Sequence, residues 1–69
     1  MRRVRVSSSN VESVGYDKKQ QLMEISFKTR RVYQYEDVPP AVHKALMTSY
    51  SKGRFVNRKI GTKYPYRRV

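Results

Sequence analysis

Residues 22–29 constrain this chain more than any other stretch. Apolar and polar residues alternate strictly from Met23 to Lys28. Met23, Ile25 and Phe27 fall on one side, and Glu24, Ser26 and Lys28 on the other. A period of two marks a strand with one buried face, the usual state of an antiparallel sheet. The pattern recurs on both flanks. Val14 and Tyr16 share a face within residues 11–16, and Tyr33 and Tyr35 share one within residues 32–36. Polar turns, Asp17-Lys18-Lys19-Gln20 and Thr29-Arg30-Arg31, separate the three segments. Three strands with short turns predict a β-meander.

The meander ends at Val38-Pro39-Pro40, because proline cannot donate to a strand ladder. Pro40 suits the first turn of a helix. Val42, Ala45 and Leu46 then recur at helical spacing, and Tyr50 extends the stripe. His43 and Lys44 fall away from it, so His43 is expected to be solvated. Ser51 is a favoured N-cap for a second helix over residues 51–60. Val56 and Ile60 lie four apart and share a face flanked by Phe55, which docks this helix on the sheet. Gly61 is placed to stop it.

The ends are basic. In the arm of residues 1–6, Arg3, Val4, Arg5 and Val6 alternate arginine and valine, which fits an edge strand or a phosphate-contacting arm. Ser7-Ser8-Ser9-Asn10 is a cluster of local hydrogen bonders that reads as a turn into the first strand. Residues 62–69 form a basic, aromatic tail. The expectation is a single domain over residues 1–69. Its fold class is α+β: a three-stranded antiparallel meander, with the arm as a candidate extra strand, packed on one face by two short helices. The expected core is Val14, Tyr16, Met23, Ile25, Phe27, Tyr33, Tyr35, Val42, Leu46, Phe55, Val56 and Ile60.

A domain of 69 residues has little core with which to stabilise itself. Without cysteine it has no disulfide or thiolate metal site, and a single histidine excludes the usual histidine clusters. No apolar run approaches membrane-span length, and the basic start lacks the apolar segment of a signal peptide. The chain therefore reads as soluble and cytoplasmic, with no membrane partner and no cofactor.

Charge is the strongest functional signal. Sixteen Lys and Arg against five Asp and Glu give +11, an excess that points to a polyanionic partner. All five acids lie between Glu12 and Asp37. From Lys52 onward there are seven cations and none: Lys52, Arg54, Arg58, Lys59, Lys63, Arg67 and Arg68. Tyr64 and Tyr66 are interleaved with them. Single-stranded nucleic-acid binders combine rings that stack on bases with cations that meet phosphates. The same tyrosines, flanking Pro65, would equally pack the tail onto the core. At Ser51-Lys52-Gly53, unpartnered backbone N–H groups, a bare glycine and a lysine suit an anion. A plainly capped helix uses the same residues, and the stretch is not a P-loop. Nothing supports catalysis: there is no cysteine, histidine cluster or carboxylate pair, and adjacent Ser51 and Lys52 do not face each other on a helix.

Together these residues resemble the KTSC domain family. Those are small domains named for a C-terminal extension of some lysyl-tRNA synthetases and found also as stand-alone bacterial and phage-type proteins. The resemblance rests on Ser7-Ser8-Ser9-Asn10, Gly15-Tyr16, Tyr33-x-Tyr35, Val38-Pro39-Pro40, Ser51-Lys52-Gly53-x-Phe55-Val56-Asn57-x-x-Ile60 and Tyr64-Pro65-Tyr66. It spans residues 7–66. The family often has a glycine in the turn before Tyr-x-Tyr, where this chain has Thr29-Arg30-Arg31. The synthetase association implies RNA binding, and the resemblance supplies no catalytic residue. Asn57 either bonds the 7–10 loop, the structural option and the favoured one, or contacts a ligand.

The resulting expectation is a non-enzymatic nucleic-acid-binding module, with RNA ahead of DNA. Its interface is Lys52, Arg54, Arg58, Lys59, Tyr64, Tyr66, Arg67 and Arg68. The alternatives are a nucleotide or other phosphorylated ligand held by Ser51, Lys52, Gly53 and Asn57, or an acidic protein partner.

Overall fold

A computed structural model describes residues 1–69. The three anticipated strands form the centre of one antiparallel sheet: β2 (Val11–Asp17), β3 (Leu22–Phe27) and β4 (Val32–Tyr35). The count of three is corrected to five. The basic arm contributes β1 (Arg3–Arg5) on β2, and the tail contributes β5 (Tyr66–Arg68) on β4. The spatial order β1-β2-β3-β4-β5 follows the chain, although the two helices intervene before β5. β1 is the extra strand for which the arm was a candidate, whereas β5 was not anticipated, and both are three residues long and exposed throughout. Their ladder partners, and not a buried face, define them.

Register explains the two faces. Val14 and Tyr16 of β2 lie opposite Ile25 and Met23 of β3, which lie opposite Tyr33 and Tyr35 of β4. This face is covered by α1 (Pro40–Thr48), by α2 (Lys52–Phe55), and by a π-helical turn (Val56–Ile60) that continues α2. The buried core is Val11, Val14, Met23, Ile25, Tyr35, Val38, Leu46, Val56 and Ile60. Tyr16, Phe27, Tyr33, Val42 and Phe55 pack around it half-buried.

Val11 and Val38 enter the core unannounced, each for a local reason. Val11 is three residues from Val14, so strict alternation would put them on opposite faces. A register shift between Val11 and Ser13 turns both inward. Val38 follows Asp37, whose φ of 60° swings the chain back under the sheet. Its C=O accepts a 2.6 Å hydrogen bond from the Tyr16 hydroxyl.

Two helix expectations are corrected. Ala45 and Tyr50 are exposed, so the buried stripe of α1 reduces to Leu46 with Val42 and Met47 beside it. His43 is half-buried, its ring stacked on Tyr16 with centroids 4.4 Å apart and planes 7° from parallel. Burial lowers its pKa below the usual imidazole value. The second helix does not stay α to residue 60. The Gly61 N–H donates to Val56 C=O at 2.7 Å, five residues back, which is π geometry. The widened turn keeps Val56 and Ile60 buried while Asn57, Arg58 and Lys59 stay exposed. No helix is long and apolar enough to cross a membrane.

Candidate nucleic-acid interface

The open face of the sheet carries a polar row. Arg3, Gly15, Glu24, Gln34 and Arg67 are successive partners across all five strands. Arg3 Nε lies 3.5 Å from Glu24 Oε2. Gln34 Nε2 donates to Glu24 Oε1 at 2.9 Å, and Arg67 Nη2 donates to Gln34 Oε1 at 3.3 Å. Gly15 makes this possible, since a Cβ there would stand 2.9 Å from Arg3 Cγ and 3.0 Å from Arg2 C=O. Arg67 therefore leaves the other tail cations. It also borders a hollow with Glu36 and Asp37.

On the helix side, Arg54, Arg58 and Lys59 converge on a hollow of about 260 Å³ that Ser51, Tyr50 and Phe55 also line. Tyr50 is fully exposed there. Helical spacing places Arg54 and Arg58 one turn apart. No carboxylate lines the hollow, and Arg3–Glu24 is the one ion pair in the structure.

Ser51 and Lys52 are engaged locally. Ser51 Oγ accepts from the Arg54 N–H at 3.4 Å, the N-cap read from the sequence. Lys52 Nζ donates to Ser49 C=O at 2.8 Å, closing the link between the helices. Gly53 and Asn57 face a different hollow, of about 360 Å³, together with Ser9, Asn10 and Phe27. Thus the four residues grouped as an anion site are divided between two places.

That second hollow joins sequence motifs more than forty residues apart. Ser8 Oγ accepts from the N–H groups of Asn10 and Val11 at 3.3 and 3.2 Å, bending the loop into β2. Asn10 C=O accepts from the Lys28 N–H at 2.9 Å, tying the loop to the turn after β3. The Asn10 amide then lies over Gly53, where a Cβ would approach its Nδ2 to 3.1 Å. Asn57 makes no hydrogen bond to the loop, contrary to the favoured structural expectation; the two share the hollow. Lys28 and Thr29 complete its lining. Lys28, Arg30 and Arg31, all exposed, are cations that the C-terminal charge count left out. Their signal was a turn, Thr29-Arg30-Arg31, with two arginines and no acid inside the segment that holds every acid. Arg30 adopts φ 71°, a left-handed conformation that glycine would take without strain.

The aromatic residues of the tail also separate. Tyr64 is half-buried against the core, whereas Tyr66 is exposed. Tyr66 sits edge-on to Tyr33, with centroids 5.6 Å apart, and 5.7 Å from Tyr35. Phe27 extends the cluster through Tyr33 at 5.8 Å. Burial, followed by the adjoining Tyr33 and Tyr66 phenols, raises the Tyr35 pKa, so that phenol stays neutral at physiological pH. Arg68 pairs with Tyr33 in the ladder, leaving a cation at the exposed edge of the cluster.

This geometry defines a class: a small α+β domain with a five-stranded antiparallel sheet, two short helices on one face, and a cationic helix side. The KTSC domain model matches residues 7–64, and the chain belongs to that family. A protein of Stutzerimonas stutzeri is 45% identical over 58 residues, covering 84% of this chain and 82% of its own length. The crystal structure of a KTSC domain protein from Yersinia pestis superposes with a TM-score of 0.95 at 40% identity, covering 99% of this chain and 96% of that one. A lysine–tRNA ligase of Nostoc punctiforme is 33% identical over 61 residues, which are 88% of this chain but 11% of that enzyme.

Proposed function

We propose that the protein is a non-enzymatic nucleic-acid-binding module that takes single-stranded RNA ahead of DNA. The convergence of Arg54, Arg58 and Lys59 on one hollow without a carboxylate carries this reading. Cations held together and left unpaired keep their full attraction for a polyanion. Their neighbour Tyr50 offers an exposed ring for base stacking, as Tyr66 does beside Arg68. A related segment within a lysine–tRNA ligase, an enzyme named for a tRNA substrate, supports the choice of RNA. Lys52 and Arg67, already engaged with Ser49 and Gln34, are left out of the interface, and Tyr64 acts in packing.

The test is fluorescence anisotropy with labelled single-stranded RNA and DNA across a salt series. Binding at low salt that weakens steeply as salt rises is the expected result. Absence of binding to either polymer at low salt refutes the proposal.

A further inference from the structure

The edge of the sheet at β1 is open. β2 pairs with one side of this strand, and no strand lies on the other. The Val6 N–H donates to the Glu12 C=O at 3.1 Å, which makes residues 6 and 12 a hydrogen-bonded pair. Bonded and unbonded pairs alternate along an antiparallel ladder, so Val4 and Val14 form the next bonded pair. Arg3 and Arg5 fall at the unbonded positions, and their main-chain N–H and C=O groups point away from β2. Two donors and two acceptors are thus turned outward along an exposed strand.

The side chains of this edge are ordered too. Arg3 and Arg5 stand opposite Gly15 and Ser13 on the open face of the sheet, and Val4 stands opposite Val14 on the helix-covered face. Val4 is nevertheless 56% exposed, at the rim of that face. The Arg3 guanidinium is drawn to Glu24, whereas Arg5 forms no ion pair. A row of cation, valine and cation therefore lies beside four unused main-chain groups.

An unpaired edge is a template for a further strand, and the cross-strand side chains decide which strand fits. A second copy of this chain fits badly. β1 against β1 brings arginine to arginine on the open face, and like charges directly opposite are destabilising. The β5 edge of a second copy is also basic. Charge complementarity calls instead for carboxylates on the open face, and Val4 calls for an apolar residue between them.

We propose that β1 takes an extended segment of a partner protein as a sixth strand, and that this segment alternates acidic and apolar residues. Main-chain bonds to Arg3 and Arg5 dock it, while the Arg5 guanidinium and Val4 select its side chains. None of these residues lines the hollow of Arg54, Arg58 and Lys59, so the proposal stands whether or not that hollow binds nucleic acid.

The probe is a fluorescein-labelled peptide of about seven residues, blocked at both ends, in which glutamate and valine alternate. Two controls accompany it. One has the same composition with the glutamates grouped ahead of the valines, and the other has lysine in place of glutamate. Anisotropy at one fixed salt concentration reads binding, and amide hydrogen exchange by NMR reads the ladder. The alternating acidic peptide should bind about fivefold tighter than the grouped one, the increment of one net hydrogen bond, and the lysine peptide should not bind. The Arg3 and Arg5 amides should exchange rapidly in the free protein and slow when the peptide is present. Arg5→Gln removes the charge and keeps the N–H, and should weaken binding by up to about fivefold. Arg5→Pro also removes an N–H that β2 does not use, a change an edge strand tolerates, and should weaken binding about fivefold more. Circular dichroism checks that both variants fold; if Arg5→Pro does not, Arg5→Gln and the exchange data decide. Equal binding of the alternating and grouped peptides, native affinity in Arg5→Gln, or Arg3 and Arg5 amides that the peptide leaves unprotected overturns the proposal.

Discussion

Replacing Arg54, Arg58 and Lys59 together by glutamine separates the proposed interface from generic surface charge. Each phosphate contact on a single strand contributes a log–log salt slope of about −0.7, so losing three contacts flattens the slope by about 2. Between about 50 and 200 mM salt, a fourfold change, that amounts to about 1.3 decades. The native protein should therefore lose about 20-fold more affinity over this range than the triple variant does. All three side chains are exposed and none forms an ion pair, so the fold should survive. Arg67→Gln supplies the control. Its guanidinium bonds Gln34 on the open face and borders a hollow with Glu36 and Asp37. It removes one positive charge from the same C-terminal segment, yet the slope should remain that of the native chain. The assay is anisotropy of a labelled RNA of about ten nucleotides at several salt concentrations. A triple variant with the native slope, or an Arg67→Gln slope shift matching the triple variant per charge, refutes the assignment of phosphate contacts to this hollow.

Three further outcomes are expected. Arg30→Gly relieves a left-handed residue and should raise stability by about 0.5–1 kcal/mol in urea melts while weakening RNA binding, because it removes a cation; a destabilised variant contradicts this. Tyr16→Phe keeps the stack on His43 but leaves the buried Val38 carbonyl without its 2.6 Å donor, so it should cost about 1–2 kcal/mol, read as a lower Tm. His43 has its pKa lowered by burial, so the unfolded chain takes up that proton first as pH falls. Its contribution to stability is complete above the ordinary value of 6.5 and declines below it, toward the depressed folded value. His43→Gln should flatten that part of the pH–stability profile, and an unchanged profile in denaturant melts would count against the stacking account.

The central strands were legible because each has one wet and one dry face, and alternation records that directly. Met23 and Ile25 needed no tertiary information to be placed. Residues whose position depends on a partner elsewhere were not legible. β5 is Tyr66-Arg67-Arg68, whose residues are all exposed, and only the free edge of β4 makes it a strand. Val11 required a bulge that its own sequence does not announce. His43 was read from its helix face alone, whereas its environment is set by Tyr16 on a distant strand. The candidate site divides along the same line. Ser51 as an N-cap is a local matter and was readable. The pairing of Asn10 with Gly53, and the arrival of Lys28 beside Asn57, depend on how the sheet turns meet the helix.

The distribution of the few acids argues that the charge excess serves binding. Glu24 is held by Arg3 and Gln34, and Glu12 accepts from Ser26 Oγ, so these two carboxylates serve the open face of the sheet. Asp17 caps its own turn by accepting from the Lys19 and Gln20 N–H groups, while Glu36 and Asp37 lie beyond the end of β4. None lines the hollow of Arg54, Arg58 and Lys59 or that of Asn10 and Asn57. A small domain gains nothing in stability from leaving like charges together, since their repulsion opposes the compact state. Pairing them with acids would have relieved that repulsion, as Glu24 does for Arg3. The helix side forgoes it, which is what the proposed function requires: there the ligand supplies the negative charge. Under that proposal a single strand meets Arg54, Arg58 and Lys59 with phosphates at regular intervals, and the three cations need no partner within the fold.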